Sequence, residues 1–212
     1  MKQIDHVTLQ SPLLGQISIK PFLPDHDSSL LHSWLTQPYA KFWGMENASI
    51  DEVKAFYSTL INSGHETAYL GYINGTAQFL IEIYDVSHHE IASHIDITAG
   101  DIGFHILLAP NRHPIRGFSH AVMQHCMQFI FDEYHATRIL VEPDCHNHKV
   151  HALNLSVGFR HLKTVRLKQK QALLGELTKT AFNHSKQYAE HLNSSIQLND
   201  RSPDATQFAS HI

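Results

Sequence analysis

The stretch from Asp101 to Glu142 constrains the fold more than any other part of the chain. Asp101–Ala109 is an apolar run closed by Pro110, and it reads as a strand. Phe118, Val122, Cys126, Phe129 and Ile130 then fall near one face of a helix over 118–133. Thr137–Glu142 is a second short strand rich in apolar and β-branched residues. Two strands joined by a helix pair in parallel through a right-handed crossover. The rest of the chain has to be arranged around that unit.

Upstream, Ile17–Phe22 alternates as a first strand would. Pro24-Asp25 opens a helix with Leu30, Leu31, Trp34 and Leu35 on one face, and Pro38 ends it. Tyr39, Phe42 and Trp43 follow in an aromatic loop. Ser49-Ile50-Asp51-Glu52 reads as an N-cap with acidic first-turn residues, opening a helix to about Asn62. Thr67–Ile73 and Thr76–Tyr84 are strands of a hairpin turning at Asn74-Gly75. Downstream, His148–Val157 is a short helix closed by Gly158, and Lys163–Leu174 reads as one strand. The expected order is β-α-α-β-β-β-α-β-α-β, an α/β fold with a mixed, mostly antiparallel sheet. Residues 1–182 are expected to form one domain. Residues 183–212 turn polar and aperiodic and read as a weak helix and a tail.

Composition excludes several classes. Of 212 residues, 42% are hydrophobic and 17% charged, as in a globular protein and unlike a disordered one. No apolar run approaches the ~18 residues of a membrane span, and MKQIDHVTLQ lacks a basic-then-apolar leader pattern. Cys126 and Cys145 are the two cysteines, which excludes a disulfide framework and points to a reducing cytoplasm. A net charge of −4 gives no electrostatic case for nucleic acid. The 19 histidines invite a metal reading. His146, His148 and His151 lie close to Cys145, and His88-His89 form a pair, but no HExxH or CxxC spacing appears. No metal cofactor is expected.

The loop Pro110–Gly117 carries Arg112 and Arg116 and leads into the 118–133 helix. Uncapped N–H groups, the positive dipole end, two arginines and Gly117 together suit an anion. The loop matches neither the P-loop nor GxGxxG. An ordinary strand–helix loop with two solvated arginines would look the same.

Element order and loop together resemble the GNAT acyltransferase superfamily, whose pyrophosphate loop reads Arg/Gln-x-x-Gly-x-Gly/Ala. Here Arg112–Gly117 fits, with Ile115 at the first glycine. Gly158-Phe159 matches the end of the next helix, with Asn154 at the position where many members have tyrosine. The chain resembles one branch more closely, the siderophore-biosynthesis acyltransferases of aerobactin, alcaligin, desferrioxamine and mycobactin assembly. The matching stretches are Trp34–Pro38 with Phe42-Trp43, Glu82–Asp85, Gly100–His105, Pro114–Phe118, and Glu142-Pro143-Asp144 with Asn147 and Ala152–Asn154. Pro38–Met45 leans toward diamine acceptors.

The resemblance implies acyl transfer from acetyl-CoA or succinyl-CoA to the nitrogen of R–NH–OH. The acceptor would be N-hydroxycadaverine, N-hydroxyputrescine or N6-hydroxylysine, and the product a hydroxamate. His105 would accept the proton, with Asp144 beside it. Leu107 or Leu108 would offer an amide to the oxyanion. Arg112, Arg116, Gly117 and Phe118 would hold the pyrophosphate, and Asn147 and Asn154 would donate to CoA or substrate. Trp34, Phe42 and Trp43 would line the amine pocket, and Glu82 and Tyr84 would reach a substrate ammonium. A homodimer is left open. Other readings are a different GNAT reaction, on an antibiotic amine or a protein N-terminus, and a non-catalytic acyl-CoA binder.

Overall fold

A computed structural model describes residue 1, residues 3–111 and residues 115–188. Among these, eight strands form one sheet in the order β1-β2-β3-β4-β5-β6-β8-β7. In chain order the elements are β1 Val7–Ser11, β2 Gly15–Pro21, α1 Pro24–Leu35, α2 Ile50–Asn62, β3 Glu66–Ile73, β4 Thr76–Asp85 and β5 Asp101–Leu108. They continue with α3 Phe118–Glu133, β6 Arg138–Val141, α4 His148–Ser156, β7 Arg160–Arg166 and β8 Gln171–Thr178. A last helix, α5, covers 179–188.

The parallel pair is β5 and β6, joined through α3 as expected. Asn74 and Gly75 both take positive φ, 49° and 83°, so the β3–β4 turn has the twist that a tight hairpin needs. Ser49 forms a full capping box: its hydroxyl accepts from the Glu52 N–H, and Glu52 Oε2 accepts from the Ser49 N–H at 2.7 Å.

Three expectations are corrected. β1 was not anticipated, because its five residues half-face solvent and carry no apolar run. Lys163–Leu174 is not one strand but parts of β7 and β8, which turn back between Leu167 and Lys170. No Gly, Pro or Asn marks that turn, so no local signal breaks the run. The C-terminal helix starts at 179 rather than 183, and residues 189–212 of the expected tail lie outside the described residues.

Helices cover both faces of the sheet. α3 sets Val122, Cys126, Phe129 and Ile130 in a core with Phe79, Ile81, Ile83 and Phe104. On the other face α1 and α2 bury Leu31, Trp34, Val53 and Tyr57 with Leu70, Leu80 and Leu107. Each such side chain contributes about 1.5–3 kcal/mol by leaving water. No described helix is long and apolar enough to cross a membrane.

β5 and β6 separate early. They pair only over Asp101–Gly103 with Arg138–Leu140, whereas β5 runs on to Leu108. The chain beyond β6 stays with β8 instead. The Leu173 N–H donates to the Pro143 carbonyl, and Asp144 bridges to Ala172. A wedge therefore opens along β5 from Phe104 onward.

Gly103 sits at the closed end of this wedge, against the ring of Tyr84. A Cβ there would meet Tyr84 Cε2 at 1.9 Å and Cζ at 2.0 Å. Gly103→Ala must displace the ring and is expected to cost about 1–3 kcal/mol. A calorimetric melt should show Tm lower by roughly 2–10 °C. An unchanged Tm would mean that the ring moves freely.

Candidate active site

A cavity of about 570 Å³ opens at the wedge. Phe42, Trp43 and Phe56 supply aromatic wall. Glu66, Glu82, Glu90, Glu142 and Asp144 make the lining strongly acidic. Ile106 of β5 and Asn147, Val150 and Asn154 around α4 also face it.

At its centre His105 stands between two carboxylates. Nδ1 donates to Glu82 Oε2 at 2.9 Å, and Nε2 donates to Glu142 Oε1 at 2.5 Å. Glu82 is opposite His105 across the β4–β5 ladder, so the sheet register itself makes the first contact. Glu142 follows the last residue of β6 and reaches in across the wedge. The second oxygens are also engaged. Tyr57 of α2 donates to Glu82 Oε1 at 2.7 Å, and Tyr84 of β4 donates to Glu142 Oε2 at 2.5 Å. Lys170, carried by the β7–β8 turn, stands 3.5 Å from Glu142. Glu82 and Glu142 are almost sealed from water, while about a third of the His105 side chain, 31%, opens to the cavity.

Burial alone would lower the His105 pKa, but Glu142 and then Glu82 outweigh it and push it up to about 10. Burial raises Glu142, yet the His105 charge and Lys170 hold it well below the usual carboxylate range. At neutral pH the ring is an imidazolium donating at both nitrogens. As held here neither ring nitrogen offers a lone pair, so in this resting arrangement the ring is a hydrogen-bond donor to both carboxylates rather than the expected proton acceptor.

The other candidate residues divide. Phe42 and Trp43 line the cavity, with Trp43 at 6.3 Å from the His105 ring. Trp34 does not. It is 4% exposed and belongs to the α1–α2 core, because it lies on the sheet-facing side of α1. Tyr84 is fully buried under Glu142 and does not line the cavity. Glu82 lines it, with one oxygen bonded to His105 and the other to Tyr57. Asp144 lines it too, but it is not the partner of His105. The bridge to β8 draws it aside, and its Oδ1 accepts from the backbone and ring of His146 at 2.8 and 2.9 Å. Glu142 takes that place.

Leu107 is also corrected. The Ala109 N–H donates to Gln78, which fixes the ladder so that residues 107 and 105 bond to β4. The amides of Ile106 and Leu108 point the other way, into the wedge. Tyr39 already donates to the Leu108 carbonyl at 2.9 Å. Asn147 caps α4, accepting from the Val150 N–H. Asn154 is 2% exposed, and its Oδ1 has no partner among the described residues. Gly117, with φ of 81°, is the N-cap of α3, whose first turn has no side-chain cap. Arg116 is exposed beside it, and Phe118 packs partly into the core. Arg112 lies outside the described residues.

Residues 23–167 match the family model of the GNAT acetyltransferase domain. The chain belongs to the GNAT acetyltransferase family. A relative called N-hydroxyputrescine acetyltransferase, from Acinetobacter baumannii, is 26% identical over 149 residues, covering 70% of this chain and 71% of its own. An uncharacterized protein from Bacillus halodurans superposes with a TM-score of 0.81 at 26% identity, covering 87% of this chain and 95% of its own. The aminoglycoside acetyltransferase AAC(6')-Ib, solved with ribostamycin and coenzyme A, gives a TM-score of 0.70 at 20% identity over 79% and 96%. At that identity the likeness speaks for the fold. The mixed sheet with its one parallel pair is thus that of a GNAT enzyme.

In this GNAT enzyme, ring NMR should find both His105 N–H protons still present at pH 8, with no titration midpoint near 6.5. A folded-state pKa above the unfolded value of about 6.5 stabilises the fold fully below pH ~6.5. That contribution is lost as pH rises through about 10. Glu142→Gln removes the larger attraction while preserving shape, so the His105 midpoint should fall by at least one unit. An unmoved midpoint would mean that Glu142 does not set the ring's charge.

Proposed function

We propose that this GNAT enzyme transfers an acetyl group from acetyl-CoA to the hydroxylamine nitrogen of an N-hydroxylated diamine, giving a hydroxamate. The observation that carries the reading is the acid-lined, aromatic-walled cavity beside the β5 wedge. Carboxylates with Phe42 and Trp43 suit a chain that carries a distal ammonium. The 26% identical relative bears the name of such an activity. N-hydroxyputrescine and N-hydroxycadaverine are the favoured acceptors, with N6-hydroxylysine behind them, because its carboxylate would enter an acidic lining. Such a hydroxamate chelates ferric iron through two oxygens, which suits siderophore synthesis.

The thioester arm would lie in the wedge, its amides pairing with the open backbone groups of Ile106 and the Leu108 N–H. One of those N–H groups would meet the oxyanion. Gly117, Arg116 and the uncapped start of α3 would meet the pyrophosphate, joined by Arg112. Asn154 has a buried oxygen free to accept from an arm amide. A succinyl carboxylate would enter a lining where, among the described residues, Lys170 is the lone lysine or arginine and already faces Glu142, which favours acetyl.

A hydroxylamine nitrogen is weakly basic and carries its lone pair at neutral pH, so it attacks the thioester without prior deprotonation. The tetrahedral adduct bears N–H⁺ and O⁻. As the C–S bond breaks, His105 exchanges one carboxylate contact for sulfur and protonates the thiolate. The neutral ring then takes the proton from nitrogen. The products are hydroxamate and CoA thiol, with His105 again an imidazolium.

A second reading is acetylation of an ordinary polyamine or aminoglycoside amine, which the acidic cavity also accommodates. Thiol release from acetyl-CoA separates the two. N-hydroxyputrescine and N-hydroxycadaverine should be turned over with a product that colours with ferric ion, and putrescine and cadaverine should not. Equal or faster release with the parent amines overturns the hydroxamate reading. His105→Gln should keep coenzyme A binding and lose about 10²–10⁴-fold in kcat. A wild-type rate would remove His105 from the chemistry.

A further inference from the structure

A second cluster of donor side chains lies outside the acyl-transfer machinery. His65 stands just before β3, Asp85 ends β4, and His88 closes the short helical turn Val86–His88. The Asp85 N–H donates to the His65 carbonyl at 2.9 Å, so the two segments are held together by backbone. One ligand atom from each of the three side chains lies within 4.8 Å of the others. Among the described residues no other set of three His, Cys, Asp or Glu comes together in this way. The His65 and His88 rings stack with centroids 3.4 Å apart and 17° between their planes. Asp85 Oδ1 accepts from the Ser87 N–H at 2.9 Å and from the Ser87 hydroxyl at 2.7 Å. Those bonds orient the carboxylate and use only one of its oxygens.

Ligand type and spacing together point to a cation. Two imidazoles and a carboxylate are a donor set for zinc-class ions, since nitrogen donors are poor ligands for magnesium or calcium. With bonds of about 2.0–2.1 Å, two nitrogens on one tetrahedral zinc stand roughly 3.4 Å apart. The three ligand atoms lie within 4.8 Å of one another, and a turn of the two stacked rings would bring their in-plane lone pairs onto one ion. Asp85 comes with its orienting partner in place, as metal-ligating carboxylates do. His88 is exposed and His65 half-buried, so an ion has a path from solvent.

We propose that His65, Asp85 and His88 form a binding site for a divalent transition cation of the zinc class, with solvent completing the coordination. The site stands apart from the acyl-transfer reading and departs from the expectation of no metal. It accounts for the His88 member of the His88-His89 pair, which the reaction does not use. It also adjoins the cavity through single peptide links, because Glu66 and His89 are lining residues. A bound cation would therefore pin two parts of the cavity wall.

The test uses the full chain, stripped with EDTA and titrated with ZnCl₂ in a calorimeter. Wild type should take up an equivalent of zinc that is weakened at least tenfold by His88→Ala and by Asp85→Asn. His148→Ala, on the exposed start of α4, should leave it unchanged. Asp85→Asn keeps an oxygen for the Ser87 bonds, and melts in EDTA check that each variant folds. Substituted Co²⁺ should give visible d–d bands that disappear in His88→Ala. Zinc affinity unaffected by His65→Ala, His88→Ala and Asp85→Asn overturns the site. So does the absence of binding at tens of micromolar, or a loss confined to His148→Ala.

Discussion

Glu82 and Glu142 reach the same point from strands on either side of β5, and both are nearly sealed from water. A buried carboxylate without a partner costs several kcal/mol. Two together repel as well. His105 resolves both problems, because one planar ring offers N–H donors in opposite directions. Tyr57 and Tyr84 then occupy the remaining oxygens, so every oxygen of both carboxylates has a partner. Around this array the rest of the region falls into place. Gly103 has no side chain because Tyr84 fills that space. α2 must carry a tyrosine, not a phenylalanine, where it crosses Glu82. The β7–β8 turn brings Lys170 over Glu142. A polar array in which each member is bonded is rigid.

The wedge has a related origin. A parallel pair made through α3 needs only a short zip of hydrogen bonds at its start, and three residues on each strand supply it. Beyond Val141 the chain has a better partner in β8, antiparallel and continuous to Asp144. β5 keeps β4 as its partner on the other side. The sheet therefore opens between them without stranding either strand, and the backbone groups it frees on β5 face the cavity. The same divergence explains why Glu142, just past the last paired residue, leans toward His105 while Asp144 follows β8.

Much of this was legible in the residues. The Asp101–Glu142 crossover, the Asn74-Gly75 hairpin and the Ser49 N-cap all carry local signals strong enough to survive tertiary context. Phe42, Trp43 and the candidate centre His105 were also singled out, and the structure brings them to one cavity. What failed did so for physical reasons. β1 is a half-exposed edge strand, and the Leu167–Lys170 turn lacks turn residues, so neither has a signature to read. Trp34 and Phe42 look alike in sequence, and only packing sends one to the core. Glu142 was visible in Glu-Pro-Asp, but its acidic neighbour Asp144, at the strand end, drew the assignment. The register decides for Glu142: it shares a strand face with Leu140, and Leu140 pairs in the structure with Gly103 on the strand of His105.

The charge of the cavity bears on the acceptor more than on the chemistry. Five carboxyl groups line it against the cations Lys170 and His105, and Glu142 already holds both of those. The surplus is negative and sits in a partly dry cleft, where its field is focused and less screened than at a surface. An acceptor with a distal ammonium gains from that field in the ground state and the transition state alike, so the field serves binding and not rate. Rate must come from groups that act on the reacting bond. In the proposed reaction the imidazolium would fill that role, since its charge is maintained by the carboxylates and its proton would be wanted only when sulfur departs. A weakly basic hydroxylamine would arrive there with its lone pair free, so the site would need a proton donor for sulfur rather than a strong base.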